Sequence, residues 1–353
     1  MRILVLPGDG IGPEITAATL SVLNAAQSRF ALPLDLTHDV VGRESHRLHG
    51  TTARTELLAV AQRSDAVMLG PADILEGDDD RRGEINPSKF FRKGLDLFAN
   101  IRPCRTYPGL VGKVGEFDLV VVRENTEGFY ADRNMAAGNG EILVTPDVAI
   151  SLRRITRACS LRIARAACEL AMRRGRRLTV VHKANVLKIT DGMFIGACRE
   201  VAADYPDISI EMVLVDSMMA HVVRDPRKFD VVVTTNMFGD ILSDLTAELS
   251  GSLGLGGSLN AGAEHAMAQA AHGSAPDIAG KDLANPFSLV LSAALLLSWY
   301  GRRTGMGEFV AAGDAIEAAV SDAISAGETT RDIGGRLGTA ATAEALAARI
   351  RTS

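Results

Sequence analysis

Cysteine is scarce in this chain. Only four occur in 353 residues (Cys104, Cys159, Cys168 and Cys198), and they form neither a CxxC pair nor any metal-like spacing. That excludes a thiolate metal motif and points to a reduced, intracellular, cytoplasmic protein. Basic excess is also missing. The 38 Lys and Arg stand against 43 Asp and Glu, a net charge of −5, which leaves no electrostatic footprint for nucleic acid. A local field can still receive an anionic substrate. Long hydrophobic runs are absent: the longest, at about 289–300, falls well short of the roughly 20 residues of a membrane span and reads as a buried helix. The opening MRILVLPGDG carries too short an apolar run for a secretory signal peptide. No internal repeat or low-complexity linker interrupts the chain, and no GxGxxG dinucleotide fingerprint occurs at the first glycine turn.

What is present is ordinary globular material, 47% hydrophobic and 23% charged. A chain this long exceeds what one core usually organises, so two domains are expected. Residues 2–6 (RILVL) read as a strand, followed by a glycine turn and a helix to about residue 29. Strands are expected at 34–41 and 65–69, with a helix at 52–62 and a loop at 71–88. Residues 88–99 read as helical, 117–122 as a strand, 131–147 as a hairpin or arm, and 149–174 as a long amphipathic helix. Strands at 177–182, 208–215 and 229–235 then alternate with helices at 190–203 and 216–224. Glycines at 251, 254, 256 and 257 mark a crossing between domains, and the remainder reads as helix-rich around a polar loop at 272–286. Alternating strands and helices give an α/β protein.

Several residues stand where chemistry is usually placed. PGDGIGPE (7–14) is a glycine turn before a helix, which suits a phosphate or a plain structural turn equally. Arg92, Arg102 and Arg123 fall at the ends of elements, where guanidinium forks grip carboxylates; ordinary surface ion pairs would use them just as well. Lys183 follows an apolar strand and suits a general base, with Tyr130 a candidate acid partner. Asp240 and Asp244 lie one helical turn apart just beyond the strand FDVVVTT, and Asp216 follows the strand MVLV. Carboxylates at strand ends suit a hard cation such as Mg²⁺ or Mn²⁺. Acids in a first helical turn also stabilise the helix dipole, so spacing alone leaves both readings open. The loop 272–286 carries Asp277, an acid able to hold a ribose diol or to be an ordinary surface residue.

In this order PGDGIGPE, RKGLDLFANIRP, VRENTEGFYA, VHKANVLKITDG, TTNMFGDILSD and HGSAPDIAG resemble the β-decarboxylating dehydrogenases, the family of isocitrate, 3-isopropylmalate, homoisocitrate and tartrate dehydrogenases. The resemblance covers essentially the whole chain. It implies two αβα domains with a mixed central sheet rather than a Rossmann fold. One would be a discontinuous NAD-binding domain (1–99 plus 251–353), the other a smaller domain (100–250) with a dimerisation arm at about 131–147. It implies NAD- and metal-dependent oxidative decarboxylation of a 3-substituted (2R)-malate in a homodimer with shared active sites, without nucleic acid or membrane. Arg92, Arg102 and Arg123 match carboxylate-binding positions. Asp240 and Asp244 match ligands of Mg²⁺ or Mn²⁺, with Asp216 supplied by the other subunit. Lys183 matches the general base, also from across the dimer, with Asn185 near the nicotinamide; Tyr130 matches the residue that protonates the enol. Glu248 matches no ligand position and reads as structural.

The loop residues His272, Gly273, Ser274, Ala275, Asp277 and Ile278, with Asn285, match the nucleotide contacts. Asp277-Ile278 stands where NADP-dependent members carry Lys-Tyr, and Gly335 where they place an arginine, so NAD is expected. The chain departs from isopropylmalate enzymes just before Arg92. Their apolar Leu-Leu pair is replaced by the run Asn86-Pro87-Ser88-Lys89-Phe90-Phe91. Ser88 and Asn86 sit where isocitrate enzymes carry polar residues, and Pro87 resembles homoisocitrate enzymes. A hydroxyl and an amide against an isopropyl group would lose water without replacement, so a polar or anionic C3 substituent is expected. Isopropylmalate would fit if Phe90 or Phe91 lined the pocket instead, and tartrate or unsubstituted D-malate is also compatible with these residues. From a different class, a metal-dependent hydrolase or lyase would use the acids and Lys183 but leave HGSAPDIAG unexplained.

Overall fold

The computed structural model describes residues 1–73, 84–110, 112–130 and 140–352. In chain order the elements are β1 (Arg2–Leu6), α1 (Gly12–Phe30), β2 (Asp35–His38), α2 (Arg43–His49), α3 (Glu56–Arg63), β3 (Ala66–Leu69) and α4 (Pro87–Gly94). Next come β4 (Ala99–Arg105), β5 (Asp118–Glu124), β6 (Glu141–Thr145), β7 (Val148–Ser151), α5 (Arg157–Met172), β8 (Arg177–His182) and α6 (Thr190–Ala202). They are followed by β9 (Ser209–Leu214), α7 (Val215–Arg224), β10 (Val231–Thr234) and α8 (Asn236–Ser250). The last are β11 (Leu259–Ala261), β12 (Ala266–Gln269), α9 (Phe287–Thr304), α10 (Gly307–Ser325) and α11 (Thr339–Thr352). None of the described helices is long and apolar enough to cross a membrane.

The chain divides into two compact units. Unit 1 is Met1–Leu97, Thr106–Val111 and Gly251–Ser353; unit 2 is Phe98–Arg105 and Gly112–Ser250. In unit 1 the strands run in the order β2-β1-β3-β12-β11. β2, β3 and β12 join through parallel pairings, and β11 pairs antiparallel with β12. Leu4, Leu6, Val67 and Leu69 of the central strands pack with Leu57, Phe91 and Met267 into one core cluster. Both faces of such strands are covered, which is why they read as unbroken apolar runs. α9, α10, α1 and α11 form the other packed layer.

In unit 2 the order is β4-β5-β10-β8-β9, with β4 antiparallel to β5 and the other pairs parallel. Ile163, Ala164, Ala167 and Cys168 of α5 and Phe194 and Cys198 of α6 pack on Val120, Val122, Val180 and Val233. α8 packs against β5 and β4. All four cysteines are free, and burial pushes the thiols of Cys104 and Cys168 up to about 11, so both pack as small apolar groups.

The elements differ from the sequence expectations in four places. The helix expected at 88–99 is shorter, and a strand where no element was expected follows it: α4 stops at Gly94, and Asp96 takes a left-handed backbone (φ 47°) that turns the chain into β4. The helix expected from 149 begins at Arg157, where Thr156 caps it by accepting from the Cys159 N–H (3.2 Å). The residues before it form β7, paired with β6 in an exposed antiparallel hairpin. The segment 43–49 forms the short helix α2, and the expected helix-rich C-terminal third also contains β11 and β12. Within the expected arm at 131–147, residues 131–139 lie outside the described residues, as do 74–83 of the expected loop at 71–88.

Candidate active site

Three groups of side chains gather at the carboxyl ends of parallel strands, where open α/β sheets collect ligands. The first is in unit 2. Arg123, at the end of β5, is only 1% exposed. Its Nε and Nη2 donate to Asn236 Oδ1 (2.9 and 2.6 Å), its Nη2 to the Tyr130 hydroxyl (2.8 Å), and its Nη1 to Asp240. Tyr130 in turn donates to Asp240 Oδ2 (2.8 Å). Arg102, on β4, donates from Nη1 to Ser243 Oγ (2.6 Å) and Asp244 Oδ1 (2.9 Å), and lies 3.4 Å from Asp240 Oδ1. Gly239 permits the close approach: a Cβ there would lie 2.7 Å from Arg123 Cβ and Cγ. Two arginines, two aspartates and a tyrosine thus share one cluster.

Asp240 and Asp244 sit one turn apart on α8, with side chains 36% and 57% exposed. Burial pushes the Asp244 carboxyl up; Arg102 pulls it down, and the negative charge of Asp240 adds to the rise. Two hard oxygen ligands crowded together and still accessible suit a divalent cation, which would relieve that repulsion. Glu248, a turn further on, pairs instead with Lys113.

The second group surrounds Lys183. Its Nζ donates to Asp216 Oδ1 (2.6 Å), and that hydrogen bond holds the Asp216 carboxyl below its usual range. The Lys183 backbone N–H donates to Asp191 Oδ2 (2.5 Å). Asp191 is fully buried and also receives the Arg153 guanidinium, whose Nη2 donates to Thr235 Oγ1 (3.0 Å). Asn185 is exposed two residues beyond Lys183. Among the described residues no three His, Cys, Asp or Glu side chains of this one chain gather as a metal site, so Asp216 does not join Asp240 and Asp244 within it.

The third group is in unit 1. On α4, Ser88 Oγ and Arg92 Nη2 both donate to Gln269 Oε1 (2.9 and 3.2 Å). Asn86 is the N-cap of that helix, its Oδ1 accepting from the Lys89 N–H (3.1 Å), and Pro87 fills the first helical position. Phe91 is completely buried in the unit 1 core and so does not line a substrate pocket. Phe90 stands edge-on against it with ring centroids 5.1 Å apart.

Further along unit 1, a cleft of about 240 Å³ is lined by Ile11, His272, Gly273, Ala275, Ile278 and Asn285, together with Leu283, Ala284, Gly254 and Asp332. Burial lowers the His272 pKa, so the ring is neutral at physiological pH. Its Nδ1 faces the Gly273 carbonyl (3.0 Å), while its Nε2 is enclosed without a hydrogen bond to any described residue. Such an orphaned buried nitrogen suits a bound heterocycle or hydroxyl. Asn285 donates to Asp332 Oδ2 (2.9 Å) and accepts from the Phe287 N–H (2.9 Å). Asp277 is exposed at the rim in a 3₁₀ turn. Ser274 reaches away, its hydroxyl on Asp73 and its carbonyl on the Ile11 N–H (2.8 Å). At Gly335 a Cβ would lie 1.9 Å from the Thr329 carbonyl oxygen, so no arginine fits there without moving the backbone.

Sequence reasoning overlooked Gln269, Asp332, Asn236, Ser243 and the Arg153–Asp191 pair. Asn236 and Ser243 flank Asp240 in one motif, and Gln269 lies three residues before His272; only that adjacency signalled them.

Residues 2–348 match the family model described as isocitrate/isopropylmalate dehydrogenase. The 3-isopropylmalate dehydrogenase of Archaeoglobus fulgidus is 41% identical, with 96% of each chain covered. The isocitrate/homoisocitrate dehydrogenase of Thermus thermophilus is 38% identical, with 99% of each covered. A crystal structure of isocitrate dehydrogenase from Methylococcus capsulatus superposes with a TM-score of 0.87 at 36% identity, covering 99% of both chains. With the fold, the motif order and the full-length match in agreement, the chain belongs to the isocitrate/isopropylmalate dehydrogenase family.

Proposed function

We propose that the protein oxidatively decarboxylates a (2R)-malate bearing a polar or anionic substituent at C3, using NAD and Mg²⁺ or Mn²⁺. The observation that carries this reading is the cluster of Arg102, Arg123, Tyr130, Asp240 and Asp244. Asp240 and Asp244, with the partner subunit's Asp216, would hold the cation, and the cleft at His272, Ile278 and Asn285 would hold the nucleotide. Bound there, the cation supplies Lewis-acid stabilisation of negative charge on oxygen, and the nicotinamide accepts a hydride.

The chain's own side chains do the rest. Arg92, Arg102 and Arg123 bind carboxylates and orient them. Tyr130 receives a hydrogen bond from Arg123 and gives its proton towards Asp240, so the phenol is held as a proton donor of fixed direction. Lys183 Nζ, held by its hydrogen bond to Asp216 Oδ1, is the atom that exchanges a proton with the substrate as general base. A second copy of the chain completes the reading. The hairpin β6–β7 leaves Ile142, Leu143, Val144, Val148 and Ile150 exposed (Leu143 to 72%), and Ile189 of the same unit is 83% exposed. Such an apolar surface suits burial by a partner.

The test is steady-state NADH formation with isocitrate, homoisocitrate, 3-isopropylmalate, D-malate and tartrate in the presence of Mg²⁺. The highest kcat/KM is expected with an acid substituted by a polar or anionic group. Highest turnover of 3-isopropylmalate would overturn the substituent, and no NADH from any of them would restore the nucleotide-free hydrolase or lyase. For the cofactor, Asp277→Lys combined with Ile278→Tyr is expected to raise the KM for NAD about tenfold, the loss of one charged hydrogen bond. An unchanged KM would remove Asp277 from the ribose.

A further inference from the structure

Gln269 closes β12, at the carboxyl end of a strand parallel to β3, three residues before His272. Its backbone is pinned on both sides: the N–H donates to the Ser258 carbonyl (3.1 Å), and the carbonyl accepts from Ser292 Oγ (3.0 Å). Its side chain meets Ser88 Oγ at 2.9 Å, Arg92 Nη2 at 3.2 Å and Asn260 Nδ2 at 3.5 Å.

These partners settle how the amide is turned. A guanidinium nitrogen cannot accept, so the atom facing Arg92 is the oxygen of Gln269. That oxygen carries no hydrogen, so Ser88 must donate its only proton to it. The Ser88 oxygen then retains lone pairs alone and cannot also donate to a carboxylate. The two N–H groups of Gln269 Nε2 make no hydrogen bond to any described residue. A pinned backbone and a committed oxygen therefore present this amide as a fixed donor beside Arg92 and beside Ser88, which lies in the run where the chain departs from a pocket for an apolar group.

We propose that Gln269 is a specificity-determining residue whose Nε2 donates to a carboxylate on the C3 substituent, with Ser88 a positioning residue that acts by turning the amide. The proposal rests on the function proposed above and gives the substituent's donor requirement to one side chain.

Gln269→Glu is the sharpest test. A carboxylate keeps an acceptor for Ser88 and Arg92 but replaces the donor with a second acceptor and a negative charge. The ratio of kcat/KM for isocitrate to that for 3-isopropylmalate is expected to fall about 30-fold, mainly through the KM for isocitrate. Ser88→Ala leaves Arg92 on the amide oxygen, so its ratio is expected to fall only about threefold. An equal loss for both substrates, or an unchanged ratio in the Glu variant, would overturn the proposal even if the wild type turns over both acids. A wild-type enzyme oxidising neither these two acids nor homoisocitrate, D-malate or tartrate would overturn the functional reading and this proposal with it. Thermal melting of both variants separates a loss of fold from a loss of selectivity.

Discussion

Lys183→Met is expected to lower kcat about 1000-fold, near the middle of the range for losing a positioned general acid–base group. The argument starts from how firmly the lysine is held. β8 ends at His182, and the next backbone N–H is captured by Asp191 at 2.5 Å. Asp191 is fully buried and paired with Arg153, so the loop carrying Lys183 is tied to the interior rather than to solvent. The Nζ then has one described carboxylate partner, Asp216, at 2.6 Å. Methionine matches the length of the stem but has no proton to exchange, so the loss falls on kcat. The KM for NAD is expected to stay nearly constant, because the cleft at His272 proposed for the nucleotide uses other residues. The proposed sharing of sites between subunits makes a second demand. Subunits carrying Lys183→Met, exchanged with subunits carrying Asp240→Asn, should regain activity, because one mixed site keeps both intact groups. A kcat within about tenfold of wild type would remove Lys183 as the base. An inactive mixture with proven exchange would confine each site to one chain.

The sequence exposes chemistry most clearly where it coincides with local structure. Arg123, Lys183, Asp216 and Asp240 each follow an apolar run, so a strand end and a reactive residue are visible in one stretch. The elements that differ from expectation lack that agreement. β4 contains Arg102 and Pro103 and alternates buried with half-buried positions, a weak pattern beside the apolar central strands. β6 and β7 carry their apolar residues in the open, so burial periodicity gives no guide to them. Partner choice is harder still. Ser88 and Gln269 are 181 residues apart, and Arg102 and Asp244 are 142. Hydrophobic period reports the face a residue occupies, never which distant side chain it meets. Thus Asn86 could be singled out as a polar residue before Arg92, while its use as a helix cap depends on a backbone angle (φ −67°, ψ 113°) that composition does not reveal.

Arg123→Met is expected to cost about 3 kcal/mol of stability as well as activity, the scale for removing one partner of a buried charge pair. At 1% exposure Arg123 is among the largest fully buried side chains, and Asn236, Tyr130 and Asp240 all hold its guanidinium. Asn236 Oδ1 takes two of its hydrogen bonds, Tyr130 one and Asp240 one. Asn236 also ties α8 back to the Glu127 carbonyl (2.9 Å), so the arginine joins the end of β5 to the start of α8. Methionine fills much of the volume, but Asp240 and the Asn236 oxygen lose their charged donor. Arg123→Lys restores the charge without the planar fork, and one ammonium cannot reach Asn236, Tyr130 and Asp240 together. It should therefore recover part of the stability and little of the kcat/KM, which is expected to drop about 1000-fold in the methionine variant. Denaturant midpoints at unchanged slope give the stability change, and single-substrate kinetics gives the other. The double variant with Asp240→Asn then tests the coupling: its destabilisation should fall well short of the sum of the two singles, because each removes the same ion pair. Additive losses, or a cost below about 1 kcal/mol for Arg123→Met, would mean that the pair behaves as a solvated surface contact and that the site is not built on it.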